Sequence, residues 1–165
     1  MAKAPTHTIY LGTGSNLGHP PANLAKARAY CQQQIGPLRQ QSSLYRTAAW
    51  GIEDQPVFYN QVLCLQTTLG PLTILDTILA IEERMGRIRH RKWGERLIDI
   101  DLLFYDQCVI HTPRLTVPHP YIAERQFVLT PLAEITPDLI HPVHQQTIVQ
   151  LQKLSTDRLS VERAG

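Results

Sequence analysis

Arg96-Leu97-Ile98-Asp99-Ile100-Asp101-Leu102-Leu103-Phe104 is the stretch on which the fold turns. It reads as a buried strand carrying two carboxylates two residues apart. Strand side chains alternate, so Asp99 and Asp101 share one face, and Ile98, Ile100 and Leu102 take the other. Two bare carboxylates on an apolar strand cost several kcal/mol in desolvation and repel each other. A cation must meet them. Mg²⁺ suits the task, because it takes one or two carboxylates and keeps water and phosphate oxygens as its other ligands. The plainer reading is a pair of exposed strand carboxylates; the apolar neighbours on both sides oppose it.

Immediately upstream, Gly86-Arg87-Ile88-Arg89-His90-Arg91-Lys92-Trp93-Gly94-Glu95-Arg96 packs five cations between Arg87 and Arg96. Two glycines and no apolar periodicity mark a mobile loop. Taken alone, such a charge run reads equally well as a solvated surface. Joined to a metal-holding strand, it suits polyphosphate chemistry: metal neutralises part of a phosphate chain and arginines clamp the rest bidentately.

Working outward, Thr8–Leu11 is a short apolar strand that breaks into Gly12-Thr13-Gly14-Ser15-Asn16. That loop lacks the Gly-Lys-Ser/Thr ending of a phosphate loop and reads as a tight strand-to-helix turn. Its glycines would still allow close backbone approach to a ligand. Pro20-Pro21 opens a helix with Leu24, Ala27, Cys31 and Ile35 on one stripe, and Gly36-Pro37 stops it. Ser42–Thr47 alternates as a strand, and Tyr59–Leu69 is a longer one. Between them, residues 48–56 form a loop holding Trp50. Gly70-Pro71 leads into a second helix that ends at Gly86. After the Asp strand comes a short strand at Val109–His111.

The order is β-α-β-β-α-β. It predicts an α+β, ferredoxin-like fold, a mainly antiparallel sheet with the two helices on one face. Short helices near Ala123–Ile135 and Thr147–Leu154 are expected to cover the core, with Ser155–Gly165 frayed. At 165 residues the chain is expected to form one catalytic domain.

Net charge is only +2, which gives no global nucleic-acid signature. No apolar run approaches the roughly 20 residues of a membrane span, and no secretory signal is visible. Cys31, Cys64 and Cys108 have neither zinc nor redox spacing and read as small reduced core residues of a cytoplasmic protein.

Two further clusters are candidates. His119, in the Pro-rich Leu115–Tyr121 segment, is followed by Arg125 and Phe127. A lone histidine is as readily structural as functional, and here substrate binding and a structural role stay equally open. Phe58, Tyr59 and Asn60 begin a strand beside the loop holding Trp50. Such aromatics are usually core, although an Asn among them can read a planar heterocycle.

Gly14-Ser15-Asn16-Leu17, Tyr45-Arg46-Thr47, Gln55-Pro56 with Asn60, and Gly86-Arg87-Ile88-Arg89 resemble the bacterial 6-hydroxymethyl-7,8-dihydropterin pyrophosphokinases. So do Trp93-Gly94, Arg96–Asp101, Leu115–His119, Arg125, Phe127 and Pro131–Ile135. The resemblance runs in order from Ile9 to Leu154. It implies a folate-pathway enzyme that moves pyrophosphate from ATP to the pterin hydroxymethyl group and releases AMP. Asp99 and Asp101 would hold two Mg²⁺ ions along the triphosphate. Arg87 and Arg96 would close on the phosphates. Glu82, Arg89, Arg114, Thr116, His119 and Arg125 would serve ATP. Phe58 and Phe127 would sandwich the pterin, with Asn60 on its polar edge, Thr47 nearby and Trp93 as a lid. The implied partners are these small molecules, with no nucleic acid and no membrane, and a monomer is expected.

The sequence departs from the family pattern at four places. Glu95 stands for the usual Pro, Phe58 for Tyr, Pro120 for a Tyr after the histidine, and Ala48-Ala49-Trp50 for a Pro-rich stretch. None touches the two aspartates. Two other classes compete. An Asp-x-Asp nucleotide-sugar glycosyltransferase would need a larger nucleotide-binding domain and leaves Trp93 and Arg96 unexplained. An RNA-binding ferredoxin-like module would want aromatics, not an acidic pair, on its central strands.

Overall fold

The computed structural model describes residues 4–47, 56–87 and 96–164. The chain runs β1 (His7–Ser15), α1 (Pro20–Gln34), β2 (Leu38–Gln41), β3 (Tyr45–Thr47), β4 (Phe58–Thr67), α2 (Pro71–Arg84) and β5 (Asp99–Tyr105). It continues through β6 (Ile110–His111), β7 (Thr116–Val117), a 3-10 turn (Ile122–Glu124), α3 (Gln126–Ile135), α4 (Ile148–Leu154) and β8 (Val161–Arg163). The main sheet has the order β5-β1-β4-β3-β8, with β2 also on β4, and every pairing is antiparallel. This is the predicted ferredoxin-like core, with β4 at its centre and β1 held between β4 and β5.

Alternation along β1 fixes the layers. Ile9 and Leu11 pack with Leu24, Cys31, Ile74 and Ile78 of α1 and α2. Tyr10 points the other way, to Leu129, Leu132, Ile148 and Leu151 of α3 and α4. Helices therefore cover both faces. The short helices cover the core as expected, from the side opposite α1 and α2. The described helices include none long and apolar enough to cross a membrane.

Four local readings change. The Gly12–Ser15 turn is strand: β1 continues to Ser15, paired with β4 on one side and as far as Gly14 with β5 on the other. Backbone pairing on both sides outweighs the weak strand preference of glycine. The predicted strand Ser42–Thr47 is broken at its start. Ser42 Oγ accepts from Val62 N (3.0 Å), a side chain standing in for a ladder partner, and β2 and β3 lie on either side of that break. The C-terminal segment is not frayed throughout. Val161–Arg163 pairs with Tyr45–Thr47, because β3 would otherwise present an unpaired edge. Cys31 and Cys64 are buried, but Cys108 is exposed, next to the turn after β5.

One glycine is required by packing. A Cβ on Gly36 would lie 1.8 Å from Gln66 O, so the chain can leave α1 against β4 only without a side chain there.

Candidate active site

The register of three strands builds the floor of the site. Asp99 lies opposite Gly14 and Asp101 opposite Gly12, while Gly14 lies opposite Asn60 on β4. Directly opposed residues share a face. Two glycines thus separate the carboxylates from Asn60, and their missing side chains leave room above the sheet. A Cβ on Gly14 would come within 2.9 Å of Asn60 Oδ1. Over this floor lies a cavity of about 960 Å³. Its wall includes Thr47 and Phe58 on one side, Arg96 on another, and Arg125 and Phe127 above.

The carboxylates face one way, as the alternation predicts. Higher on β5 a bulge at Leu103 turns Leu103 and Phe104 to the same side. Burial raises the Asp99 carboxyl above the ordinary carboxylate range. Arg87 opposes that shift and Asp101 adds to it. Burial raises Asp101 too, against the pull of Arg125 and Arg87. Both directions mean that the ionised pair is held at a cost, which an incoming cation relieves.

The arginines are anchored from below. Arg87 Nη1 lies 2.9 Å from Glu82 Oε1, and Arg87 Nη2 lies 3.0 Å from Asp99 Oδ1. Glu82 is only 2% exposed, and its other oxygen accepts from Ile100 N at 2.8 Å, satisfying the outer edge of β5. Burial raises the Glu82 carboxyl, with the Ile100 amide and Arg87 opposing. The family resemblance implies a nucleotide role for Glu82; in the structure its carboxylate contacts Arg87 and the Ile100 amide. Arg96 Nε lies 3.7 Å from Asp99 Oδ2.

Asn60 Nδ2 donates to Thr47 Oγ1 (2.9 Å), so the strand pair fixes the Asn60 amide. The Arg125 guanidinium sits 4.9 Å from the Tyr121 ring and 5.5 Å from the Phe127 ring, between the two. His119 adjoins Tyr121, with ring centres 5.8 Å apart, and its Nδ1 accepts from Tyr121 N. Burial, then Arg125, lowers the His119 pKa from 6.5 to about 4, so at neutral pH its one ring proton is on Nε2.

Asp99, Asp101, Arg96, Arg125, Thr47, Phe58, Asn60 and Phe127 thus meet at one cavity, and Arg87 joins them through Asp99. Thr116 and Arg114 lie outside its wall; Arg114 is exposed and paired with Asp76 of α2. Arg89 and Trp93 fall outside the described residues, as do Trp50 and the departures at Ala48, Ala49 and Glu95.

Sequence reasoning gave no role to Asn16, Tyr121 or Asp157. Asn16 is 1% exposed. Its Oδ1 accepts from Arg96 N (2.7 Å) and its Nδ2 donates to Pro56 O (3.2 Å). Its place straight after the strand in Gly14-Ser15-Asn16 was the available signal. Tyr121 and Asp157 line the cavity with no periodicity to mark them.

A family model described as 7,8-dihydro-6-hydroxymethylpterin-pyrophosphokinase (HPPK) matches residues 10–137. A Methylorubrum extorquens protein named 2-amino-4-hydroxy-6-hydroxymethyldihydropteridine pyrophosphokinase is 45% identical over 132 residues, which is 79% of this chain and 84% of that protein. A Haemophilus influenzae protein of the same name is 40% identical over 156 residues, 94% of this chain and 97% of its own length. Among solved structures, Plasmodium falciparum HPPK-DHPS with pteroate superposes with a TM-score of 0.76 at 18% identity, over 93% of this chain. This chain spans 43% of that one, and at such identity the likeness speaks to the fold.

Proposed function

This chain belongs to the 7,8-dihydro-6-hydroxymethylpterin-pyrophosphokinase family, and on that premise we propose that it moves the β,γ-pyrophosphoryl group of ATP to the hydroxymethyl oxygen of 6-hydroxymethyl-7,8-dihydropterin. The hydroxymethyl oxygen bonds to the β-phosphorus, the bond from that phosphorus to the α-phosphate bridging oxygen breaks, and AMP departs. The hydroxyl proton is released. The observation that carries this reading is the floor geometry: an aspartate pair and an Asn–Thr amide clamp on one sheet face, separated by two glycines.

The donor set fits Mg²⁺. Asp99 and Asp101 offer hard carboxylate oxygens, and among the described residues no group of three or more His, Cys, Asp or Glu side chains forms a closed metal cage. Such a pair leaves most of the sphere to water and phosphate, the usual way Mg²⁺ is held with a nucleotide. Bound there as two ions, the metal would neutralise the triphosphate and act as a Lewis acid on the reacting oxygens.

The remaining steps belong to the chain. Arg87 and Arg96 grip phosphate oxygens as charge moves toward AMP. Arg87 Nε is buried and has no acceptor among the described residues, which suits a guanidinium with a donor left for an oxyanion. Glu82 holds Arg87 in place, and Asn16 holds the backbone of Arg96. Arg125, His119 and Tyr121 flank the nucleotide. Phe58 and Phe127 stack on the pterin, and Asn60, steadied by Thr47, reads its amide edge. Arg89, Thr116, Arg114 and Trp93 take nucleotide-side and lid roles. The setting is the cytoplasm and the acting form a monomer.

The test is dependence. AMP should form from ATP only when both Mg²⁺ and the pterin are present. AMP formation at equal rates without pterin would overturn the assignment.

A further inference from the structure

The matched family region ends at residue 137, yet Thr156, Asp157, Arg158 and Leu159 line the cavity. These residues connect α3, which carries Phe127, to β3, whose Thr47 pairs with Phe58 of β4. On one side, Asp157 Oδ2 accepts from Gln126 N at 2.9 Å. Gln126 is the first residue of α3, which begins at Arg125 without a side-chain cap of its own. Asp157 supplies that cap from a distance, favoured by the positive end of the helix. The next residue, Phe127, and the preceding one, Arg125, both line the cavity. On the other side, Val161 pairs with Thr47 and Arg163 with Tyr45. Thr47 is the residue that fixes the Asn60 amide. Between these anchors the segment is shaped internally, with Asp157 Oδ1 accepting from Leu159 N (3.0 Å) and Arg158 Nη1 donating to Ser155 O (3.3 Å).

We propose that Thr156–Arg163 is a built-in wall of the pterin end of the site, setting the distance between α3, with Phe127, and β3, with Thr47. This rests on the reading of the cavity given above. Asp157 is a positioning residue: it acts through Gln126 on the start of α3. A planar ring clamped between aromatic faces tolerates little slack. Loosening this wall should therefore weaken the pterin more than ATP: Phe127 follows Gln126 directly, whereas of the proposed ATP contacts only Arg125 adjoins it, and Asp99, Arg87 and Arg96 hold the phosphates from β5 and its approach.

The experiment compares wild type, Asp157→Ala, Asp157→Asn and a chain ending at Ser155. Calorimetry measures binding of hydroxymethyldihydropterin in the presence of a non-hydrolysable Mg-ATP analogue, and steady-state assays give both KM values. Asp157→Ala and the shortened chain should raise the pterin Kd and KM on the order of tenfold or more, the scale of a slackened positioning contact. The ATP KM should rise several-fold less than the pterin KM, since Arg125 is the one proposed ATP contact beside Gln126. Asp157→Asn keeps an acceptor oxygen for Gln126 N and should recover most of the loss. Should the shortened chain fail to fold, the two Asp157 variants decide. Unchanged pterin binding in Asp157→Ala, or an equal loss for both substrates, would overturn the wall. Wild type that binds pterin and makes no AMP would overturn the reaction instead, while the calorimetric comparison still judges the wall.

Discussion

Asn16 and Arg96 hold each other by two hydrogen bonds: Asn16 N donates to Arg96 O at 2.9 Å, and Arg96 N donates to Asn16 Oδ1 at 2.7 Å. The same side chain donates to Pro56 O. One buried amide thus ties the start of the Asp strand segment to the chain that enters β4 and its Phe58 and Asn60. Asn16→Ala removes both side-chain partners and should cost about 1–3 kcal/mol of stability, the usual penalty for stranded buried polar groups. It should also lower kcat/KM on the order of 10²-fold by letting Arg96 drift. Asn16→Asp keeps the acceptor for Arg96 N but loses the donor to Pro56 O, and should fall between. Calorimetry with steady-state kinetics checks this; an Asn16→Ala enzyme with normal kcat/KM would show that Arg96 needs no such support.

Glu82 is expected to work only through Arg87. Glu82→Gln preserves an acceptor for Ile100 N and removes the charge opposite Arg87. Turnover should drop about 10–100-fold, as when a supporting partner of a site residue is lost. Arg87→Lys should recover little of the Arg87→Ala loss, because one guanidinium spans Glu82 and Asp99 and an ammonium cannot. Full activity in Glu82→Gln would remove it from the account.

The two aspartates should separate in metal-free buffer. Asp99 has two cationic partners, Arg87 and Arg96, while the described residues give Asp101 no ion pair within 4 Å. Asp101→Asn should therefore leave thermal stability in chelator unchanged or higher, since it relieves a carboxylate whose charged form is disfavoured. Asp99→Asn should lower it, by about 1 kcal/mol or less for a partly exposed pair. Both should abolish turnover and the stabilisation given by Mg²⁺ with nucleotide. Equal, large stability losses in the two variants would indicate structural ion pairs instead.

Much of this site was legible because strands are periodic. The face shared by Asp99 and Asp101 follows from spacing alone, and the apolar flanks place that strand in the core. The glycine floor was not legible. Gly12 and Gly14 read as a turn, because their role depends on which residues stand opposite them, and register across three strands is a tertiary property. The Thr156–Leu159 wall was hidden for the same reason. Its residues are polar and aperiodic, and only the open edge of β3 and the uncapped start of α3 give them partners. A role for Glu82 entered only through the family resemblance, and its link to Arg87 needed the fold.

Acid should destabilise the protein through its buried histidines. His141 is 3% exposed, and its Nδ1 accepts from Val143 N and His144 N, both at 3.1 Å. A proton there would face two donors. Burial, then His144, lowers its pKa from 6.5 to about 4. Between those values the unfolded chain binds a proton that the native His141 refuses, so stability rises with pH across the window and is lost as pH falls through it. Burial-raised Asp99, Asp101 and Glu82 act in the opposite sense, so the informative quantity is the difference between wild type and His141→Asn. The Asn oxygen can accept the same bonds without titrating, and its Tm should fall less between pH 6.5 and 4. Parallel Tm curves for the two proteins would rule out His141 as a contributor.

The most direct test of the central claim is the mass of the pterin product, read together with the nucleotide released, from one Mg²⁺-dependent turnover of ATP and hydroxymethyldihydropterin. Transfer across the Asp99–Asp101 floor predicts a pterin carrying two phosphates and one AMP for each. A pterin carrying a single phosphate, with ADP as the partner product, would contradict it.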